Sequence, residues 1–297
     1  MKRKTLNAPL MLSVMSLIFS LFFPSLSWAQ SNRINQPRIL DNIKANGILK
    51  IGLRKDAPPF GYVEGSEWKG VCTEIANLLK ADLEKQLNRP ITLEILESNI
   101  DEYTENGRFR SIKNKRFVIE CGPNTIQRNP DYGIAYSVPF FYTGTYLLVN
   151  SVKKDSFNTN SFLQNVSIGV IQDTLTQTFL SGRYQLANQR VYTGVRAREL
   201  AVNDAISGRT DAFASDGVLL LGEMMRLGVK PNQYSIIPEQ PLSCVSYGML
   251  LSANDREWVA TVNDFINRHR TPEVVKELFG ESSPFVQMSR IDYSKCQ

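Results

Sequence analysis

Charged and hydroxyl side chains follow several short apolar segments of this sequence, at the points where those segments give way to turns. Arg54 ends the segment ILKIGLR that begins at Ile48, and Asp216 comes directly after the segment 211–215, which is predicted to be a strand. Open α/β sheets bind their ligands beyond the carboxyl ends of strands, beside the first turns of helices. Residues at such positions are therefore candidates for one shared site. They are Arg54, Phe60, Thr125, Arg128, Thr174 and Asp216.

This set contains the groups needed to hold a small molecule that carries both charges. The guanidinium of Arg54 or Arg128 suits a carboxylate, because two parallel hydrogen bonds fix its orientation. The Asp216 carboxylate suits an ammonium group, and the ring of Phe60 suits an aliphatic stem. A purely structural role is the alternative for each. Arg54 would then be a surface residue, Phe60 a core residue, and Thr174 and Asp216 helix caps.

The sequence offers little for nucleophilic or metal chemistry. Its single histidine, His269, stands between two arginines at the polar end of a predicted helix, where a solvated side chain is expected. P-loop, dinucleotide-binding and G-x-S-x-G strings do not occur in the sequence. We therefore expect a protein that is not an enzyme and that uses neither a cofactor nor a metal.

The first 29 residues have the character of a secretory signal peptide. Three basic residues at positions 2–4 precede an almost wholly apolar stretch over 8–23, and cleavage is expected after Ala29. The leader holds three of the 34 Lys and Arg residues and none of the 29 Asp and Glu residues, so the mature charge is 31 against 29, or +2. That balance argues against a nucleic-acid partner. We expect a soluble, exported, periplasmic protein.

The four cysteines all follow the predicted leader, and an oxidising compartment favours their pairing. They are Cys72, Cys121, Cys244 and Cys296. Four cysteines allow three complete pairings, and the sequence does not choose among them. Buried free thiols are the alternative.

Strand and helix patterns alternate along the mature chain. The apolar positions between Val71 and Leu87 keep the 3–4 spacing of a helix, whereas Ile91, Leu93 and Ile95 alternate with polar neighbours as in a strand. A second unit repeats this order from Val166, with helices predicted over 174–180, 196–206 and 219–226 and a strand over 211–215. Such alternation predicts an α/β protein with helices on the faces of its sheets.

Two extended segments predict two lobes joined by two crossings. The stretch 137–149 is long and aromatic, and Pro139 prevents a continuous helix there. The stretch 236–247, with two prolines, is the expected return, and a strand is predicted over 244–251. We therefore predict lobe 1 over 36–141, lobe 2 over 142–240, and a return to lobe 1 with C-terminal helices over 241–297.

These segments together resemble the type II periplasmic solute-binding proteins of family 3, in the branch that binds polar amino acids. The resemblance rests on ILDNIKANGILKIGLRKDAPPFGY near the start of the mature chain, ECGPNTIQR from Glu120, SVPFFYTGTYLLV from Ser137 and SGRTDAFASDGVLLLGE from Ser207. Its order and spacing extend over about residues 40–279. The greatest likeness is to glutamate- and aspartate-binding proteins, through Arg54 and the Glu-Cys-Gly string.

The resemblance implies a fold and a function. The fold is the type II binding-protein fold, in which each lobe is a mixed sheet flanked by helices. The function is to clamp a polar, acidic L-amino acid between the lobes, as a monomer, and to deliver it to the permease of an ABC importer in the inner membrane. Alternatives on the same scaffold are a ligand-sensing module and a cyclohexadienyl-type dehydratase, which would use Glu74 or Glu120 as its acid.

The resemblance also implies a role for each candidate residue. Arg54 faces a ligand carboxylate, and Phe60 packs on the ligand stem. Thr125 and Thr174 contribute hydrogen bonds from the two lobes. Asp216 holds the α-ammonium group.

The sequence departs from the family pattern at two positions. The family places a carboxylate-binding arginine about five residues after its loop threonine, but here Arg128 follows Thr125 by only three and Pro130 takes the usual place. We expect Arg128 to reach the ligand from a shortened loop. Where acidic-ligand relatives have a second-lobe histidine, this chain has Arg196 or Arg198.

Overall fold

The computed structural model of the protein describes residues 38–131 and 133–289. The predicted leader, its cleavage site and Cys296 lie outside these residues. The strands within them are β1 (Ile48–Arg54), β2 (Asp56–Ala57), β3 (Gly61–Glu64), β4 (Glu67–Lys69), β5 (Thr92–Ser98), β6 (Ile119–Cys121), β7 (Ile134–Tyr136), β8 (Phe141–Asn150), β9 (Ser167–Ile171), β10 (Asn188–Tyr192), β11 (Ala212–Asp216), β12 (Tyr234–Ile237), β13 (Ser243–Tyr247) and β14 (Leu250–Ser252).

The helices in the same residues begin and end close to the predicted positions where a prediction was made. They are α1 (Ile39–Asn46), α2 (Val71–Leu87), α3 (Arg108–Lys113), α4 (Leu175–Arg183), α5 (Ala197–Ser207), α6 (Gly217–Arg226), α7 (Arg256–Arg268), α8 (Thr271–Phe279) and α9 (Pro284–Met288). Short 3-10 helices span Ser151–Ser156 and Pro231–Gln233. None of the helices in the described residues has the length and apolarity needed to cross a membrane.

The first sheet has the strand order β5-β1-β6-β14-β7. Strand β1 is parallel to β5 and β6, whereas β14 is antiparallel to β6 and β7, so the sheet is mixed. Strands β2, β3 and β4 form a small antiparallel sheet beside it. Because β1 and β6 are parallel, the side chains that follow Arg54 and Cys121 leave the sheet at the same edge.

The second sheet has the order β10-β9-β11-β8-β12, and β13 also pairs with β8. Strands β9, β10 and β11 are parallel, whereas β8 is antiparallel to β11. The ten residues of β8 accommodate β12 along one half and β13 along the other. The carboxyl ends of β9 and β11 therefore meet at one edge, where Thr174 and Asp216 follow them.

The chain passes between the two sheets twice. It leaves the first sheet after β7 and enters the second at β8, along the aromatic segment in which a crossing was predicted. The strand predicted over 244–251 is in fact two strands, because β13 pairs with β8 in the second sheet and β14 pairs with β6 in the first. The return passage is therefore Gly248–Met249, after the proline-rich stretch rather than within it.

The helices on the first sheet are held by the apolar stripes that the sequence predicts. Val71, Ile75 and Leu83 of α2 are buried, and Trp258 and Phe265 of α7 belong to the same core. Removing side chains of this size from water stabilises a fold by about 1.5–3 kcal/mol each. Helix α7 has an N-cap at Asp255, whose carboxylate accepts a hydrogen bond from the Trp258 amide. The second sheet has its own buried clusters on its two faces.

A disulfide joins Cys72 in the first turn of α2 to Cys121 at the end of β6. The two Cα atoms are 5.6 Å apart, and 49 residues separate the cysteines in sequence. None of the cysteines in the described residues is free. The disulfide therefore fixes one end of the segment 122–128, in which two of the candidate site residues lie.

Candidate ligand-binding cleft

A cleft of about 440 Å³ opens where the strand ends of the two sheets come together. We call its two sides the first wall and the second wall. The first wall contains Arg54, Glu102, Arg108, Asn124 and Thr125, and the second wall contains Thr174, Arg198, Ser215 and Asp216. Four of the six candidate residues thus line one cavity: Arg54, Thr125, Thr174 and Asp216.

Arg54, the last residue of β1, is 2% exposed and already has a carboxylate partner. Its Nε donates to Asp56 Oδ1 at 2.9 Å, and its Nη2 donates to Asp56 Oδ2 at 2.6 Å. Burial opposes the charge on Arg54, but the adjacent Asp56 outweighs burial and raises the pKa of the guanidinium. The same contact holds the pKa of Asp56 below its usual value despite burial. Arg54 therefore stays charged and reaches the cleft from a fixed position.

Arg108 is the second cation of the first wall, and it was not among the residues predicted from the strand ends. It begins the six-residue helix α3 and follows a loop rather than a strand. Its Nη1 donates to Asn124 Oδ1 at 3.0 Å, and its Nη2 donates to Glu102 Oε1 at 3.2 Å. Its Nε is buried and has no hydrogen-bond partner in the described structure. A guanidinium held in this way can receive a ligand carboxylate.

Asn124 links Arg108 to a carboxyl group behind the cleft. While its Oδ1 accepts from Arg108, its Nδ2 donates to Glu120 Oε2. Glu120 is fully buried, and it does not line the cleft. Burial raises the pKa of Glu120, against the opposing effect of Arg108. Glu120 therefore orients the first wall from behind and is not placed to meet a ligand.

Asp216 ends β11 and precedes α6, but its side chain does not cap that helix. Its Oδ2 instead accepts a hydrogen bond from the hydroxyl of Tyr247. Burial raises the pKa of Asp216 to about 6, although Tyr247 and Arg198 both act to lower it. A cation that enters the cleft beside this buried carboxyl group stabilises its ionised form.

Arg198 faces Asp216 from the first turn of α5 and is 5% exposed. Its Nη1 donates to Ser215 Oγ at 2.7 Å, and its Nε is buried without a partner among the described residues. Burial, and then the nearby Arg54, lower the pKa of Arg198. Arg196, the other residue considered for this position, is exposed and pairs with Glu199 at 3.1 Å. Only Arg198 of the two belongs to the cleft.

Thr174 and Thr125 supply the hydroxyls that line the cavity. Thr174 is the N-cap of α4: its Oγ1 accepts from the Gln177 amide at 3.2 Å and donates to the Ile171 carbonyl at 2.8 Å. The positive end of that helix therefore faces the cleft. Thr125 is partly buried, and its backbone forms an isolated antiparallel bridge with Tyr247.

The structure does not bring Phe60 or Arg128 to the cleft lining. Phe60 is fully buried, with its ring edge-on to Phe141 at 5.0 Å and to Tyr247 at 5.4 Å between centroids. Its ring therefore supports other aromatic side chains instead of packing on a ligand stem. Arg128 is exposed, because the chain turns outward after Ile126, whose amide donates to the Ser246 carbonyl at 2.9 Å.

His269, the single histidine of the sequence, does not line the cleft and contacts Asp82. His269 Nε2 lies 3.1 Å from Asp82 Oδ2, and Arg268 Nη1 lies 2.5 Å from the same oxygen. Within residues 38–131 and 133–289, no group of three or more His, Cys, Asp or Glu side chains is arranged to hold a metal ion.

Characterised proteins of similar sequence include two solute-binding proteins. The Glutamate/aspartate import solute-binding protein of Escherichia coli K12 is 26% identical over 243 residues, which cover 81% of this chain and 78% of that one. The L-cystine-binding protein TcyJ of the same organism is 23% identical over 228 residues, which cover 77% and 79%.

Solved structures share the fold. The ancestral amino acid-binding protein AncCDT-1, a precursor of cyclohexadienyl dehydratase, superposes with a TM-score of 0.67 at 18% identity, over 80% of this chain and 98% of that one. The substrate-binding protein AbpA of an amino acid ABC transporter from Streptococcus pneumoniae gives 0.64 at 18% identity, over 84% and 98%. The predicted type II binding-protein fold is thus confirmed. The sequence model of one family matches residues 49–280, and the chain belongs to that family, the bacterial extracellular solute-binding proteins, family 3.

Proposed function

We propose that this protein binds an acidic L-amino acid in the cleft and delivers it to the permease of an ABC importer. The observation that carries the proposal is the meeting of three guanidinium groups and one buried carboxylate in a single cavity. An acidic amino acid has two carboxylates and one ammonium group, and this arrangement complements both charges. The glutamate/aspartate and cystine binders among the relatives support an amino acid as the ligand.

Each wall has a separate part in this proposal. Arg54 and Arg108 of the first wall hold one carboxylate, and Arg198 of the second wall holds the other. Asp216 receives the ammonium group through Oδ1, because Tyr247 occupies Oδ2. Thr125 and the first turn of α4 at Thr174 add hydrogen bonds to the carboxylates. Charge-assisted bonds of this kind contribute about 1.5–3 kcal/mol each.

The ligand stabilises a closed form because its contacts come from both walls. A molecule that touches both walls shifts the open–closed balance by its greater affinity for the closed form. A micromolar dissociation constant corresponds to about −8 kcal/mol, which a few charged contacts supply after the costs of ordering. The permease then recognises the closed protein in the periplasm, after removal of the leader at Ala29.

Calorimetry on the mature protein tests the ligand. L-Glutamate and L-aspartate are compared with L-glutamine and L-asparagine, which have nearly the same shape without the second charge. We expect micromolar binding of an acidic ligand and at least about tenfold weaker binding of its amide. L-Arginine and L-cystine are included as ligands of the other charge and size. Preference for either would refute the acidic specificity, and millimolar binding of every amino acid would refute the whole proposal.

Neither of the two acids named for the dehydratase alternative lines the cleft. Glu120 is fully buried behind Asn124, and Glu74 is not among the residues that line the cleft. Incubation with prephenate and arogenate provides the direct test, because any turnover would favour the enzyme. A sensing module would bind the same ligands, so capture of an ABC permease by the ligand-loaded protein in reconstituted membranes separates import from sensing.

A further inference from the structure

Tyr247 occupies an unusual position at the edge of the cleft. It is the last residue of β13, directly before the chain returns to the first sheet, and it is fully buried. Its hydroxyl donates to Asp216 in the second wall. Its backbone forms the bridge with Thr125 in the first wall. One residue therefore connects Asp216 of the second wall with Thr125 of the first wall.

The backbone contacts of Tyr247 fix the loop that carries Asn124 and Thr125. The Ile126 amide donates to the carbonyl of Ser246 at 2.9 Å, and the amide of Gly248 donates to the Asn124 carbonyl at 3.0 Å. These bonds lie on either side of Tyr247. The loop therefore cannot shift without moving the residue that also holds Asp216.

Aromatic neighbours fix the Tyr247 ring. The ring of Phe141 stacks against it at 6.2 Å, with an angle of 21° between the planes, and the ring of Phe60 meets it edge-on at 5.4 Å. Edge-to-face and offset aromatic pairs contribute about 0.5–1.5 kcal/mol beyond burial. The hydroxyl is thus delivered to Asp216 by a rigid group, and Phe60 acts through Tyr247 rather than on a ligand.

We propose that Tyr247 is a positioning residue for ligand binding, which holds Oδ2 of Asp216 so that Oδ1 is presented, as a charged oxygen, to the ligand ammonium group. This inference rests on the proposed function. Tyr247 does not line the cleft, and its hydroxyl would act on the ligand only through Asp216. Since a carboxylate that accepts one fixed hydrogen bond cannot rotate freely, the geometry of the ammonium contact is set before the ligand arrives.

The charged and polar groups around Asp216 determine its pKa, so the role of Tyr247 can be measured as a change in that pKa. The groups that act on Asp216 are the Tyr247 hydroxyl and the Arg198 guanidinium, both of which lower its pKa against burial. Arg54 faces Tyr247 in turn, and Asp56 and Glu223 face Arg198. Removal of the hydroxyl therefore raises the pKa of Asp216 in the ligand-free protein. Ligand binding requires the ionised form, so affinity declines as the pH falls below the ligand-free pKa, and without the hydroxyl it declines from a higher pH.

The test is Tyr247→Phe, which keeps the ring and removes the hydroxyl. Tyr184→Phe is the matched control, because that tyrosine is also buried but donates to the Thr159 carbonyl, away from the cleft. Carboxyl-detected NMR titration of Asp216 in the ligand-free protein is combined with calorimetry against L-glutamate between pH 5 and 8. Thermal melting checks that both variants are folded.

We expect Tyr247→Phe to raise the Asp216 titration midpoint by about one pH unit and to weaken L-glutamate binding about tenfold at pH 7.5. The acid decline in affinity should move upward with the midpoint, and Tyr184→Phe should match the wild type in both measurements. Unchanged affinity and an unchanged midpoint in Tyr247→Phe, with a wild type that binds L-glutamate, would overturn the inference alone. A wild type that binds no common L-amino acid would instead overturn the proposed function and the positioning role with it.

Discussion

The charged side chains in the two walls of the cleft have different kinds of hydrogen-bond partner. In the first wall, Arg54 is bonded to Asp56 and Arg108 to Glu102, so each cation has an anion from its own side. In the second wall, Arg198 bonds to a serine hydroxyl and Asp216 to a phenol. The partners in the second wall are neutral, although both charged groups are more than nine-tenths buried.

The difference separates stability from binding. Buried charges that already have opposite partners contribute to the folded state, and removal of one partner leaves the other without compensation. Buried charges with neutral partners have a desolvation cost that a ligand of opposite charge relieves. The cations of the first wall therefore have charged partners before the ligand arrives, whereas Arg198 and Asp216 of the second wall form their hydrogen bonds with neutral groups until a ligand binds.

The largest expected effect is on the free energy of unfolding of the protein when a charge pair of the first wall is broken. Arg54→Met leaves the largely buried Asp56 carboxylate, whose side chain is 16% exposed, without its cation, and we expect a loss of about 3 kcal/mol in the free energy of unfolding. Urea denaturation of the ligand-free protein measures it. The double variant Arg54→Met with Asp56→Leu should recover most of the loss, because no unpaired charge remains. If Arg54→Met were as stable as the wild type, the contrast between the walls would not hold.

The second wall should show the opposite pattern at Asp216. Asp216→Asn keeps the shape and removes the charge, so we expect L-glutamate to bind about 2–3 kcal/mol more weakly. The ligand-free variant should be at least as stable as the wild type at pH 7.5. The sign follows from the pKa of about 6: a folded-state pKa above the unfolded value of about 3.9 means that stability falls as the pH rises between them. Asparagine does not titrate and escapes this loss.

Calorimetry and thermal melting over pH 4–8 measure both consequences for Asp216→Asn. Asp155→Asn, at an exposed position, controls for the chemical change itself. A variant that loses stability and binding together would place Asp216 with the paired residues of the first wall.

The residues of the cleft that could be predicted from the sequence are those at the carboxyl ends of parallel strands. Arg54 and Asp216 both end strands of parallel pairs, so their positions follow from sheet geometry once the strands are identified. Thr174 follows β9 by the same logic. Arg108 could not be found in this way, because it begins a short helix after a loop and its approach to Asn124 depends on tertiary packing.

The positions of Arg198 and Arg128 also have identifiable physical causes. A signal for Arg198 was present in the sequence: Ala201, Val202 and Ala205 lie three, four and seven residues after it, so the helical period places it on the apolar face of α5. The exposed position of Arg128 depends on the pairing of its loop with the strand that ends at Tyr247, a contact between residues more than a hundred positions apart. No local pattern of residue types encodes that contact.

The smallest of the expected effects is also the most selective. Arg198→Met removes the cation of the second wall while keeping a long apolar side chain. The group that loses its hydrogen-bond donor is the Ser215 hydroxyl, which is uncharged. We expect L-glutamate to lose about 2 kcal/mol of affinity and L-glutamine to lose far less, because only the acid form uses the charge. Arg196→Met, two positions earlier and exposed, is the matched control and should bind both ligands as the wild type does. Equal losses for the acid and the amide in calorimetry would mean that Arg198 supports the cleft without reading the second carboxylate, and the choice of ligand would then rest with the first wall.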